Sequence, residues 1–376
     1  MFKIAWAGCD NMGFPSPGWE HIAAHRPRLL AVDGDTPYAN GNSSGLWGLA
    51  TSPAFTATTT QAEALAKFQQ FWNKPNLVAL RALRTQGMLI DYIPDDHEWP
   101  DDNWDHSPDN LGGSFTTQAL INQTWKRVND ALEQLLATHF DNPPYDRVGN
   151  TTRPSYCTTG GENPPTTDYP IKYFARKFDA NGNIGGSHCW VLHLDNMSYK
   201  SRLAEADGVN KHALGLQQEE WLGDMLSDAV AARVTHTLIN SPKKFFRGTS
   251  DNGDTLGEYP TARNRVMSLI KSVGSKPTVM SCDRHIPHVM NHRVSSGALC
   301  DLLDVCACPI GVDLNTVSSD VPGLIWQGSR LTYGVIEVGE RMQIRLEDCI
   351  TGSAIWKCEI LPYDNAPNFD LVQVIY

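Results

Sequence analysis

Four short clusters of acidic, thiol and imidazole side chains each follow a hydrophobic run, and this recurrence limits the fold more than any other feature of the chain. Phe2-Lys3-Ile4-Ala5-Trp6-Ala7 leads into Gly8-Cys9-Asp10, and Leu29-Leu30-Ala31-Val32 into Gly34-Asp35-Thr36-Pro37-Tyr38. Met88-Leu89-Ile90-Asp91-Tyr92-Ile93 leads into Asp95-Asp96-His97-Glu98, and Thr278-Val279-Met280 into Cys282-Asp283-Arg284-His285. The runs have the length and composition of buried strands. Polar clusters that follow such strands meet at the carboxyl edge of a layered α/β sheet, where loops carry chemistry. The 376 residues alone suggest two or three domains. Clusters spread from Cys9 to His285 must converge in space, so the expectation is a single catalytic domain over residues 1–376.

Between the clusters the pattern alternates. Apolar residues at helical spacing from Thr60 to Arg84, broken at Pro75, predict a helix pair. Residues 94–113 read as a long functional loop, and 141–170, rich in Pro, Thr and Gly, as a surface excursion at the cleft mouth. Phe115–Phe140, Leu214–Ala232 and Thr261–Val273 predict helices. Ile171–Phe178 and Cys189–Leu194 predict a hairpin around Asp179-Ala180-Asn181-Gly182-Asn183. Thr235–Asn240 and Thr278–Ser281 read as strands, and Leu331–Val338, Met342–Leu346 and Ala354–Ile360 as a meander in a C-terminal segment of about 331–376. The sum is an α/β sandwich.

A net charge of −11 argues against a nucleic-acid surface, which needs Lys and Arg to neutralise phosphates, while a small phosphate ester remains permitted. No apolar stretch approaches a membrane span. Nine irregularly spaced cysteines do not form a disulfide framework. With no leader pattern after Met1, the expected location is cytoplasmic, or periplasmic or secreted if a leader was removed.

Asp35 and Tyr38, three apart around Pro37, can reach one cation. A phenolate donor calls for a strong Lewis acid such as ferric iron, and Cys9 adds a soft thiolate. Asp96 and Asp283, with Asp10 or Asn103 as further oxygens and Asp35 as a bridge, suit calcium, magnesium or manganese. Two unlike metals would make a hydroxide nucleophile at neutral pH and steady both oxygens of an in-line phosphoryl displacement. Plainer readings stand beside these. Cys9 could be a small buried hydrophobe, Asp95 to Glu98 could cap a helix, and His285 and His288 could pack on the surface. Cys306 and Cys308, two apart, have no second pair at zinc-site spacing, so that region receives no site.

These motifs resemble the alkaline phosphatase D family, the PhoD-like branch of the calcineurin-like metallophosphoesterases. The collinear matches are Cys9, Gly34 to Tyr38, Pro94 to Glu98 with Asn103, and Cys282 to His285. His193 to Lys200, Leu216 to Leu222 and Glu258 to Arg263 resemble further family segments. The resemblance implies a four-layer α-β-β-α sandwich that hydrolyses phosphomonoesters and diesters with ferric iron and calcium. By motif, Cys9, Asp35 and Tyr38 would hold iron, Asp96 or Asn103 calcium, and Asp283 and His285 would complete the site. This chain departs from the pattern at Cys282, where Gly is usual, and at Asn196 or Ser198, where Arg is usual, leaving Lys200 and Arg202 as nearby cations. With Phe2 already opening the first strand, no separate N-terminal β-sandwich domain is expected. Arg284 and the Lys243-Lys244 pair could also face substrate oxygens, and His97 or His285 could protonate a leaving alkoxide. The competing expectation is a noncatalytic metal-binding or interaction protein on the same scaffold.

Overall fold

A computed structural model describes residues 1–10, 16–36, 55–99, 114–143, 172–201, 205–245, 255–291, 302–311, 314 and 324–360. Tyr38, Asn103 and Arg202 lie outside these, as do most of the two long loops assigned to the cleft mouth and the end of the C-terminal segment.

The first sheet has six strands: β1 (Phe2–Ala7), β2 (Leu29–Val32), β3 (Leu89–Tyr92), β11 (Thr332–Val338), β12 (Met342–Asp348) and β13 (Ala354–Ile360), in the order β13-β12-β11-β1-β2-β3. The cluster-bearing strands β1, β2 and β3 run parallel, so their polar ends emerge along one edge. The C-terminal meander joins this sheet directly, with β11 antiparallel to β1 from Phe2 opposite Val338 to Trp6 opposite Gly334. The glycine is required there, because a Cβ on Gly334 would stand 2.3 Å from the Trp6 ring.

The second sheet has seven strands. They are β4 (Phe174–Phe178), β5 (Cys189–His193), β6 (His236–Ser241), β7 (Thr278–Ser281), β8 (His288–Asn291), β9 (Leu303–Cys306) and β10 (Leu324–Gln327), in the order β10-β8-β9-β7-β6-β5-β4. Here β5, β6, β7 and β9 are parallel. The expected hairpin is present as antiparallel β4 and β5.

Alternation along the strands sets the layers. Ile4 and Trp6 face the second sheet in a core with Phe178, Val191, Leu238, Met280 and Val305. Ala5 and Ala7 face the other way, against α1 (Gly18–His25), α2 (Gln61–Trp72), α3 (Val78–Thr85) and α4 (Gln118–His139), through Trp19, Phe68, Leu80 and Trp125. On the far side, Leu192, Ile239 and Val279 pack on α5 (Leu216–Ala231) and α6 (Pro260–Ser272) through Leu222, Leu226, Val266 and Ile270. The result is the expected four-layer α-β-β-α sandwich. Each fully buried apolar side chain gains about 1.5–3 kcal/mol by leaving water, so a one-residue slip of β1, which would exchange its two faces, is strongly disfavoured.

Local chemistry fixes the ends. Thr60 and Glu63 form a reciprocal cap at the start of α2, and Thr117 caps α4. Three short strands, β8, β9 and β10, and the helix α1 have no counterpart in the sequence reading. Each of the strands has four residues, as β2, β3 and β7 do, but lacks the polar cluster that marks the ends of those three, and β9 carries the buried Asp304. His288, read as a surface residue, lies instead in β8 at 5% exposure, with Nδ1 bonded to the Ile286 carbonyl. Among the described residues, no helix is long and apolar enough to cross a membrane.

Candidate metal centre

The polar strand ends are tied together by main-chain hydrogen bonds. Cys9 N donates to the Gly34 carbonyl at 3.1 Å and Asp10 N to that of Asp35 at 3.0 Å, linking the turns after β1 and β2. Ile310 N and Gly311 N donate to the carbonyls of Gly8 and Cys9, both at 3.1 Å, which brings the segment after β9 against the turn after β1. Cys282 N donates to the Pro242 carbonyl, pairing the turns after β6 and β7. Gly34 has φ +60°, and a Cβ there would lie 2.3 Å from Asp95 N, so only glycine lets the turn after β2 approach the turn after β3.

Several side chains in these turns hang from left-handed backbone: φ is 58° at Cys9, 54° at Asp35, 74° at Asp283 and 54° at His285. Such conformations are uncommon outside glycine and concentrate at functional sites.

The turns gather three groups of potential donors, and within each the ligand atoms lie within 4.8 Å of one another. One joins Cys9, Cys308 and His285. The others join Asp35, Asp96 and His97, and Asp35, Asp95, Asp96 and Asp283. Asp35 belongs to two groups and reaches the first, with its Oδ2 3.4 Å from Cys9 Sγ while its Oδ1 accepts from His97 N at 3.2 Å. Soft donors therefore collect at one end and hard oxygens at the other.

Electrostatics favours a cation at the hard end. Burial and then repulsion from Asp96 push the Asp35 carboxyl well above the usual carboxylate range, and burial does the same to Asp95. Lys243, 1% exposed, enters this group from the end of β6, with Nζ 3.0 Å from Asp95 and 2.7 Å from Asp283 and bonded also to Asp96. One ammonium offsets only part of the charge of four carboxylates. Asp95 Oδ2 is buried with no hydrogen-bond partner, so the donor set fits a further cation. At the soft end, burial and then the neighbouring Cys308 thiol push the Cys9 thiol up, while burial and then His97 push His285 down to about 3. A neutral imidazole offers a lone pair to a metal.

Two residues from the acidic third cluster are also architectural. Asp95 caps the turn Asp96–Glu98 by accepting from Asp96 N at 2.9 Å. Glu98 accepts from Thr36 N, the Tyr92 hydroxyl and Asp95 N at 2.6–2.7 Å, fastening the turns after β2 and β3 together.

Asp10, expected as an oxygen donor, is not in any of these groups. Its carboxylate accepts from Trp19 Nε1 and Lys74 Nζ, both at 2.7 Å, and from the Ser16 hydroxyl, on the helical side of the first sheet. Lys200 is buried at 3% exposure in the segment after β5, where Asp195 accepts from Met197 N and Ser198 N. Asn196 accepts from the Ser241 hydroxyl at 3.1 Å. Cys282 serves the frame, its thiol directed to Asp33 Oδ2 at 3.6 Å.

Lys243 as a partner of the carboxylates, and Cys308 beside Cys9, were not anticipated. Lys243 carried only the generic signal of a cation after a strand. Cys308 was set aside with Cys306 for want of a second pair, since its partner Cys9 is at the other end of the chain.

Asp33 supplies a test of the frame. Burial raises its carboxyl to about 7, although hydrogen bonds from Asn240 and Cys282 pull the other way. The folded protein therefore holds a proton that the unfolded chain has already released between about pH 4 and 7. This contribution to stability is complete below about pH 4 and is lost as the pH rises to about 7. In chelated protein, Asp33→Asn is expected to remove a decline of roughly 1–4 kcal/mol across that window. Urea titrations at several pH values measure it, and parallel curves for the two proteins would contradict it.

Neither a protein-family model nor a curated protein matches the chain. Among solved structures, it resembles PhoD with a TM-score of 0.69 at 15% identity, over 100% of this chain and 71% of that one. It also resembles the purple acid phosphatase PPD1 from yellow lupin (Lupinus luteus) seeds, with a TM-score of 0.54 at 9% identity, over 94% of this chain and 52% of the other. At these identities the likeness establishes the layered α/β fold.

Proposed function

We propose that the chain is a metal-dependent phosphoric ester hydrolase acting on small phosphomonoesters or diesters. The observation that carries this reading is the convergence of Asp35, Asp95, Asp96 and Asp283 beside Cys9, Cys308 and His285 at the strand ends of both sheets. The fold shared with PhoD and a purple acid phosphatase supports it.

Cys9, Asp35 and Tyr38 would hold a transition ion, ferric iron by the resemblance. Asp96 or Asn103 would hold calcium, and Asp283 and His285 would complete the pair. When bound, the two cations supply Lewis acidity at the phosphoryl oxygens and lower the pKa of water. The chain's own residues do the rest. Lys243 holds Asp95, Asp96 and Asp283 in one orientation and limits their mutual repulsion. His97, with Nε2 4.0 Å from Asp96 Oδ2, is the candidate proton donor to the departing alkoxide. Burial keeps His285 neutral and suits it to ligation rather than to proton donation. Lys200 and Arg202 would receive nonbridging oxygens.

Natively purified protein is expected to hydrolyse p-nitrophenyl phosphate or its bis-ester. Exhaustive chelation is expected to lower the rate at least about 100-fold, and restoring the metals to recover it. Elemental analysis of the same preparation identifies them. Turnover that persists in metal-free protein would overturn the reading, and bound metal without hydrolysis of any ester in a panel would favour a noncatalytic binding protein.

A further inference from the structure

Cys308 sits on the segment after β9, outside every motif that pointed to the metal centre. Its Sγ lies 2.7 Å from that of Cys9, both side chains are fully buried, and a ring nitrogen of His285 is within 4.8 Å of both sulfurs. The approach is built into the main chain. Ala307 N donates to the Ser281 carbonyl, and Ile310 N and Gly311 N donate to those of Gly8 and Cys9, so the residues on both sides of Cys308 are anchored to the turns that carry the other two donors.

Of the neighbouring thiols, Cys306 is engaged elsewhere, whereas Cys282 also lies against Cys308. Cys282 points to Asp33 Oδ2 and the Ala307 carbonyl, and Cys306 donates to the Cys282 carbonyl at 3.3 Å. Cys308 points its thiol at Cys9, with Cys282 beside it. A separation of 2.7 Å is shorter than two uncharged sulfurs prefer, roughly 3.6 Å. Two thiolates on one tetrahedral ion, each about 2.3 Å from it, stand about 3.8 Å apart. Opening the pair by about 1 Å would relieve the contact and admit an ion between sulfur and imidazole.

We propose that Cys308 is a second thiolate ligand of the ion that Cys9 holds, adding a second sulfur to the other donors of this position, making it a site for a thiophilic transition ion and closing it to calcium and magnesium. The inference rests on the metal reading of the pocket and deepens it. Each thiol releases its proton to solvent as its sulfur binds the ion. Sulfur donors favour zinc-class and iron ions over hard cations, so the two positions of the centre would sort their metals by donor chemistry.

The test uses the full chain, stripped by chelator under reducing conditions and given one equivalent of cobalt(II) without oxygen. The thiolate-to-cobalt absorption in the near ultraviolet is expected to fall by about half in Cys308→Ser and in Cys9→Ser, and to vanish in the double variant. Full absorption in Cys308→Ser would overturn the proposal. A measurement on the unmodified protein guards against misfolded variants: X-ray absorption with one equivalent of zinc is expected to show two sulfur neighbours at about 2.3 Å. One sulfur would remove Cys308 from the site and leave the hydrolase reading intact. No sulfur would remove Cys9 as well and count against both.

Discussion

Asp35→Asn is expected to lower phosphoester hydrolysis by more than the roughly 10–100-fold typical of losing an outer partner of a metal site, and to reduce bound metal by at least half. Asp35 belongs to both carboxylate groups and lies 3.4 Å from Cys9, so it is the carboxylate placed to touch both the soft and the hard donors. Asparagine keeps the shape but removes the charge. Because burial and repulsion already disfavour a charged Asp35 in metal-free protein, the variant should unfold at an equal or higher urea concentration than the chelated parent. Lost turnover with preserved stability is therefore the signature. Activity within about tenfold of the parent would mean that Asp35 holds no essential ion.

The second large effect concerns stability alone. Lys74→Met is expected to lower the unfolding free energy by roughly 3–5 kcal/mol, because it strands the carboxylate of Asp10 without a counter-charge in the interior. Lys74 and Asp10 pair at 2.7 Å, with side chains 6% and 0% exposed, and Trp19 Nε1 and the Ser16 hydroxyl complete the carboxylate's partners. Adding Asp10→Asn should return most of the loss, since the stranded charge is then gone. Urea titration of the two single variants and the double variant measures this. A loss below about 1 kcal/mol for Lys74→Met, or altered metal content with unchanged stability, would instead return Asp10 to the metal centre.

The layered fold was legible because burial leaves a mark at every second strand residue. Ile4 and Trp6 against Ala5 and Ala7 show which sides of β1 face sheet and helices. The convergence of carboxylates was legible for a related reason: Asp35, Asp96 and Asp283 follow such strands closely enough to be gathered where the strand ends of the two sheets meet. Asp10 has the same position in sequence as these, yet a lysine 64 residues onward claims it. Nothing in local spacing separates the two outcomes. Cys308 and Lys243 were hidden for the converse reason, since their meaning lies in partners brought near only by tertiary structure. The short strands β8, β9 and β10 were missed because, unlike the equally short β2, β3 and β7, none leads into a polar cluster that marks its end.

The pairing of β1 with both β2 and β11 has a consequence for how the molecule is made. Phe2 and Val338 are neighbours in the sheet although nearly the whole described chain separates them. During synthesis one flank of β1 can be satisfied early, but the other must wait until Thr332–Val338 has left the ribosome. Until then a twisted ribbon with Trp6 at its heart presents an unmatched border. Completing this sheet accordingly depends on a distant contact, which topology makes slow to form, and β1 keeps an open edge that can stick to neighbours until β11 arrives.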